Sequence, residues 1–183
     1  GLGDVAIFDT RPETSDELVE RIGDAEAVVS IRGAVPYPKH VIEACSKLSV
    51  LSIWGTGTDH VDLPTAKAMG VTVCNTPAVS AISVAEHALA LMLAAARMLA
   101  EINAQVKSGD WPKAMISQLH GKTLGLVGLG AIGRQVARLG AGIGMNVVAW
   151  TFNPDDALAK ELGVELAELD DVLERLDDPG FLV

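Results

Sequence analysis

Residues 123–133, TLGLVGLGAIG, constrain this chain's fold more than any other stretch. Leu124, Leu126, Val127 and Leu129 make an apolar run too short for a typical helix, so it reads as a buried parallel strand. The run breaks into Gly128-x-Gly130-x-x-Gly133, and Arg134-Gln135-Val136-Ala137-Arg138-Leu139 then suits a helix. Three glycines at this spacing are a weak signal alone; strand, turn and helix in that order give them meaning. Gly128 lets the chain turn tightly, Gly130 lets backbone approach a pyrophosphate, and Gly133 lets helix pack on strand. The helix N-terminus then offers free N–H groups to the anion. The stretch points to dinucleotide binding, and a purely structural glycine-rich turn is the other reading.

The rest of the chain alternates strands and helices, which predicts parallel α/β sheets. Val5-Ala6-Ile7-Phe8 reads as a short buried strand, followed by a helix that Ser15 can cap. Ala27-Val28-Val29-Ser30-Ile31, 48–54 and Val71-Thr72-Val73-Cys74 read as further strands. Ligands of such sheets sit beyond the C-terminal strand ends. Arg32-Gly33 and Gly55-Thr56-Gly57-Thr58 wait at two of those ends. The two glycines around Thr56 can aim consecutive N–H groups at one anion, such as a carboxylate. The alternative is a turn that needs positive φ. Arg32 could clamp the same anion through its fork, or be an exposed arginine with no ligand. A helix is predicted over 83–107, apolar on most sides and so buried on most sides. It is long enough to lie between two lobes or two subunits. His87 on it reads as a core or interface residue, and geometry would decide any catalytic role.

Beyond the glycine turn, the strand 146–150 should end in the acidic residue that holds a ribose in NAD-binding folds. Thr151 stands there instead, followed by Phe152 and Asn153. No carboxylate repels a 2′-phosphate at that position and no arginine binds one, so NAD and NADP both stay open. The net charge of −10 argues against a nucleic-acid or anionic-membrane surface, and no apolar run is long enough to span a bilayer. Cys45 and Cys74 have no metal spacing, which fits a reduced cytoplasmic protein and no metal site. No signal peptide is expected, and Gly1 in place of Met points to a leading segment removed or replaced.

Four stretches, in this order and spacing, resemble the D-isomer-specific 2-hydroxyacid dehydrogenases. They are Gly55-Thr56-Gly57-Thr58-Asp59-His60-Val61-Asp62, Cys74-Asn75-Thr76-Pro77, Ser83-Val84-Ala85-Glu86-His87 leading to Arg97, and Leu126-Val127-Gly128-Leu129-Gly130-Ala131-Ile132-Gly133. The resemblance runs from about Val28 to about Leu176. It implies a flavodoxin-like substrate lobe over 1–82, then a partial Rossmann lobe over 83–183, with a hinge near 79–83. It implies a homodimer built around the helix 83–107. It implies Gly55, Thr56 and Gly57 at the substrate carboxylate, with Arg32 a candidate near the same anion. It puts Gly128, Gly130, Ala131, Ile132 and Gly133 at the pyrophosphate of NAD or NADP, and Thr151 at the ribose.

The family's reaction is reversible hydride transfer between nicotinamide and C2 of a small 2-hydroxy or 2-oxo acid. An arginine, a glutamate and a histidine carry it, and no residue of this chain matches their motifs. His40, His60, His87 and His120 stand outside them. Asp177-Asp178-Pro179-Gly180-Phe181-Leu182-Val183 also leaves the family pattern, as a frameshift or premature stop would make it do. The chain is therefore expected to be a dehydrogenase by descent that is inactive alone. The alternative is a non-enzymatic relative that binds a nucleotide or a partner. In a Rossmann sheet the strand 123–127 should be central. Its unpaired edge is expected to be covered by a second copy or by the C-terminal tail.

Overall fold

Thr14 starts the first helix, α1 (Ser15–Ile22). Its hydroxyl accepts from the Glu17 amide at 3.1 Å, and the Glu17 carboxylate accepts from the Glu13 amide at 2.7 Å. Ser15, expected as the cap, is instead the first helical residue. The structure is a computed structural model that describes residues 3–31, 33, 35–176 and 182–183. The chain divides into two units, Gly1–Val79 and Ser80–Val183.

The first unit contains β1 (Ala27–Ile31), α2 (Lys39–Ala44), β2 (Val50–Trp54), α3 (Leu63–Ala68) and β3 (Thr72–Asn75). The strands pair in parallel in the order β1-β2-β3. Leu51 and Ile53 alternate onto one face of β2, where they are buried with Leu18 and Ile22 of α1, Val41 and Ile42 of α2 and Ala66 of α3. The other face shows Val29, Ile31 and Trp54, all exposed, with Ile31 and Trp54 side by side in register. Val5-Ala6-Ile7-Phe8 is not a strand. Val5 and Ile7 are 83% and 87% exposed, and no ladder among the described residues takes this segment in. Apolar residues alone do not make a strand where no neighbouring edge accepts its hydrogen bonds.

The second unit contains α4 (Ala81–Ala96), α5 (Leu99–Lys107), β4 (Thr123–Val127), α6 (Ala131–Gly142), β5 (Asn146–Trp150), α7 (Asp156–Leu162), β6 (Val164–Leu166) and α8 (Leu169–Glu174). Its strands are parallel in the order β4-β5-β6. This α/β arrangement is the first half of a doubly wound Rossmann sheet. Leu124 and Leu126 are fully buried among Ala85 and Met92 of α4, Val136 and Ala137 of α6, and Val147 and Ala149 of β5. On the other side Val172 of α8 is fully buried, and a Cβ on Gly125 would lie 2.8 Å from the Leu176 side chain and 3.0 Å from that of Val172. Gly125 is thus what lets α8 lie close on β4.

The single helix expected over 83–107 is two helices bent 60° apart, and the first begins at Ala81. A continuous helix would give the Ala96 carbonyl to an amide one turn on. Here the Ser117 amide donates to that carbonyl at 2.9 Å, and Met98 takes the left-handed conformation at φ 48°. The contact comes from a residue far along the chain, so no local pattern announces it. No single helix among the described residues is long and apolar enough to cross a membrane. The bent pair α4–α5 reaches that length only when joined, and Ala85, Met92 and Ala96 of α4 are buried in the unit's own core.

The exposed edge of β4 is paired. The Val127 amide donates to the Val183 carbonyl at 2.8 Å, and the Val183 amide donates to the Gly125 carbonyl at 3.0 Å. Leu182 bridges to Gly125 in the parallel sense. The tail therefore acts as an edge strand on β4. Deleting Leu182 and Val183 should lower stability by about 2 kcal/mol, from two lost backbone hydrogen bonds and partly buried leucine surface. It should also raise self-association. Urea unfolding with light scattering checks this, and an unchanged midpoint in a clear solution would refute it.

Candidate functional site

The glycine turn is built from backbone restraints. Gly128 sits at φ +114°, a conformation that side-chain-bearing residues rarely adopt, and its amide donates to the Trp150 carbonyl at 2.8 Å. Gly133 lies under that turn. A Cβ there would come within 2.1 Å of the Gly128 carbonyl oxygen. Arg134 holds the loop from the helix side, its Nε donating to the Leu129 carbonyl at 3.1 Å. Gly130 is the opposite case, since a Cβ on it would meet nothing within 4 Å. It caps α6 in extended geometry, so the first amides of the helix, at Ala131, Ile132 and Gly133, have no intrahelical acceptor. One glycine therefore seats the helix and another leaves backbone open to a ligand. The open backbone and the free amides fit a pyrophosphate.

Beside this turn, at the ends of β5 and β6, is a cleft of about 490 Å³. Trp150, Thr151, Phe152 and Pro154 line it from β5, and Leu166, Ala167 and Glu168 from β6. Thr151 is half-buried there. Phe152 meets Trp150 edge-to-face at 4.5 Å between centroids, with most of its ring exposed. The β6 side of this cleft was not legible in the sequence, because the pairing of β5 with β6 decides which loops meet.

In the first unit, Gly55-Thr56-Gly57 leaves the C-terminal end of β2 as expected. Its carbonyls are tied down: Thr76 donates its amide to the Gly55 carbonyl at 2.9 Å, and Asn75 donates its side-chain amide to that of Thr56 at 2.8 Å. The Gly55 amide is taken by the Ile53 carbonyl at 3.0 Å. The Thr56 and Gly57 amides donate to no acceptor among the described residues. Neither Gly55 nor Gly57 has positive φ, so the alternating handedness of a backbone nest is not present. Two amides of the loop are therefore left free to donate. Arg32 lies outside the described residues. Nearby, Tyr37, Asp59, His60 and Asp62 line a shallower cleft of about 460 Å³. Burial pushes the Tyr37 phenol up, against a lowering hydrogen bond with Ser30. The His60 Nε2 is buried with no partner among the described residues.

The other histidines are not gathered into a site. His40 and His87 are exposed on α2 and α4, and the His120 ring packs against Gly144. Among the described residues no group of three His, Cys, Asp or Glu is placed to hold a metal.

Residues 1–133 match the family model described as the D-isomer-specific 2-hydroxyacid dehydrogenase catalytic domain. The chain belongs to the D-isomer-specific 2-hydroxyacid dehydrogenase family. Residues 89–178 match the NAD-binding domain of the same family, so the glycine turn belongs to a domain that takes NAD or NADP. The chain is 39% identical over 171 residues to a D-3-phosphoglycerate dehydrogenase of Methanocaldococcus jannaschii, covering 92% of this chain and 32% of that one. It is 36% identical over 175 residues to a glyoxylate reductase of Korarchaeum cryptofilum, covering 92% and 52%. Among solved structures it resembles D-lactate dehydrogenase from Aquifex aeolicus complexed with NAD and lactic acid. The TM-score there is 0.78 at 29% identity, covering 87% of this chain and 48% of that one. The dehydrogenase fold is thus shared, and the chain spans about a third to a half of the length of these relatives.

Proposed function

We propose that this chain forms the substrate-binding lobe and the first half of the nucleotide-binding lobe of an NAD(P)-dependent 2-hydroxyacid dehydrogenase. The observation that carries the reading is the contrast between Gly133, with no room for a Cβ, and Gly130, with open space, inside the family's NAD-binding domain. The pyrophosphate is received by the backbone at Gly128 and Gly130 and by the amides of Ala131, Ile132 and Gly133. Thr151 lies at the ribose. In the other lobe, the Thr56 and Gly57 amides hold the carboxylate of a small 2-hydroxy or 2-oxo acid, with Arg32 as a second anion contact. In the whole enzyme the nicotinamide would supply a hydride to C2 of such an acid, or take one from it.

The acid–base step needs a proton donor within hydrogen-bond reach of the reacting oxygen. None of the four histidines matches the family's position for it, and no arginine or glutamate matches the other two. We therefore assign dinucleotide binding without turnover to the 183-residue polypeptide. The exposed apolar residues Ile82, Leu91 and Leu99 on α4 and α5 are assigned to a homodimer contact, and the thiols of Cys45 and Cys74 fit the cytoplasm. The second reading is a non-enzymatic binding relative.

Incubation of the chain with NADH or NADPH and glyoxylate, hydroxypyruvate or pyruvate should give no loss of absorbance above a blank. Turnover would contradict the assignment. Size-exclusion chromatography with light scattering should report a dimer that Leu91→Glu dissociates, and a monomeric wild type would remove the dimer from the account.

A further inference from the structure

The position that ends β5 carries Thr151, so the acid expected to hold a ribose is missing from its usual strand. The structure brings a carboxylate to the same place from the neighbouring strand. β5 and β6 run in register with Ala149 beside Leu166. The Ala167 amide continues the ladder by donating to the Ala149 carbonyl at 3.0 Å. Continued two residues further, that register sets Glu168 beside Thr151, about one strand spacing away (~5 Å). Both residues line the cleft at the strand ends. Glu168 is still extended there, at φ −67° and ψ 155°.

The Glu168 carboxylate has no structural task. It stands at the N-cap of α8 yet makes no capping hydrogen bond. No hydrogen bond or ion pair engages it among the described residues. Among the described residues no lysine or arginine lines the cleft. Three arginines of this unit hold other partners. Arg175 grips the Glu165 carboxylate through two bonds of 2.6 and 2.7 Å, Arg138 pairs with Glu161 at 3.5 Å, and Arg134 is bonded to the Leu129 carbonyl. Asp170 and Asp171 add negative charge in the first turn of α8.

We propose that Glu168 is the cofactor-specificity residue of this chain, accepting the adenosine ribose hydroxyls in place of the missing acid on β5 and repelling a 2′-phosphate. The chain is accordingly selective for NAD over NADP. This rests on the glycine turn being a dinucleotide site. A carboxylate accepts two hydroxyl hydrogen bonds readily, whereas a phosphate dianion set against it is disfavoured with no cation to offset the charge.

The test is calorimetric titration of the 183-residue chain with NADH and, separately, NADPH. Each is run at ~0.01 M and at ~1 M salt, where the Debye lengths are about 30 Å and 3 Å. The wild type should bind NADH at least about tenfold more tightly than NADPH at low salt, with the ratio shrinking at high salt. Glu168→Gln keeps the shape, removes the charge and breaks no cap, so it should melt like the wild type. It should bring the two affinities to within about threefold and reduce the salt dependence of their ratio. Equal affinities in the wild type, a preference for NADPH, or a ratio unchanged in Glu168→Gln would overturn the proposal while leaving the dinucleotide site standing. Binding of neither nucleotide would overturn the dinucleotide site, and the specificity proposal with it.

Discussion

Replacing Gly133 with alanine should destabilise the second unit by about 3 kcal/mol and lower its melting temperature by about 10 °C. The added Cβ would lie 2.1 Å from the Gly128 carbonyl oxygen and 3.1 Å from its carbon. Both are backbone atoms, fixed by the Gly128 amide's bond to Trp150, so neither can swing aside. The first turn of α6 must lift instead. That loosens Val136 and Ala137 from Leu124 and Leu126, all of which are buried. Gly142 is the internal control. It is exposed in the last turn of the same helix, with nothing within 4 Å of its missing Cβ. Gly142→Ala should stabilise by about 0.5 kcal/mol through helix propensity and a less entropic unfolded chain. Thermal unfolding followed by calorimetry reads both changes. A Gly133→Ala variant within about 1 kcal/mol of wild type would mean that the turn is not held as described.

Gly130→Val should do the reverse: leave the fold intact and remove the ligand. Gly130 has φ −76° and ψ −162°, a conformation valine adopts without strain, and its Cβ would enter open space. In the proposed function that space receives the pyrophosphate. A branched side chain there should weaken NADH binding by at least about 100-fold, roughly 2.7 kcal/mol, with an unchanged melting curve. Binding retained within about threefold would show that the phosphate lies elsewhere. The two glycines are three residues apart, and their substitutions separate folding from binding because their surroundings differ.

The strand–turn–helix unit was legible because three local signals agree there: the apolar run, the glycine spacing and the helical period that follows. Parallel sheets in both units were legible for the same reason. What stayed hidden depends on distant contacts. The break at Met98 follows from the Ser117 amide on the Ala96 carbonyl. The failed strand at Val5-Ala6-Ile7-Phe8 reflects an edge not supplied to it. Thr14 rather than Ser15 caps α1, a one-residue difference that backbone geometry decides. At Gly55-Thr56-Gly57 the sequence located the loop but not its mechanism, since two free amides without positive φ replace the expected nest. Glu168 could not be singled out before β5 and β6 were set in register.

The most direct test of the account is calorimetric titration of NADH into the wild-type 183-residue chain and into Gly130→Val. The account predicts one saturable site per chain in the wild type and its loss in the variant, with both proteins melting alike. A wild type that takes up no NADH at ~1 mM, a ceiling that already spans ordinary cofactor affinities, would contradict it. So would a variant that binds as the wild type does.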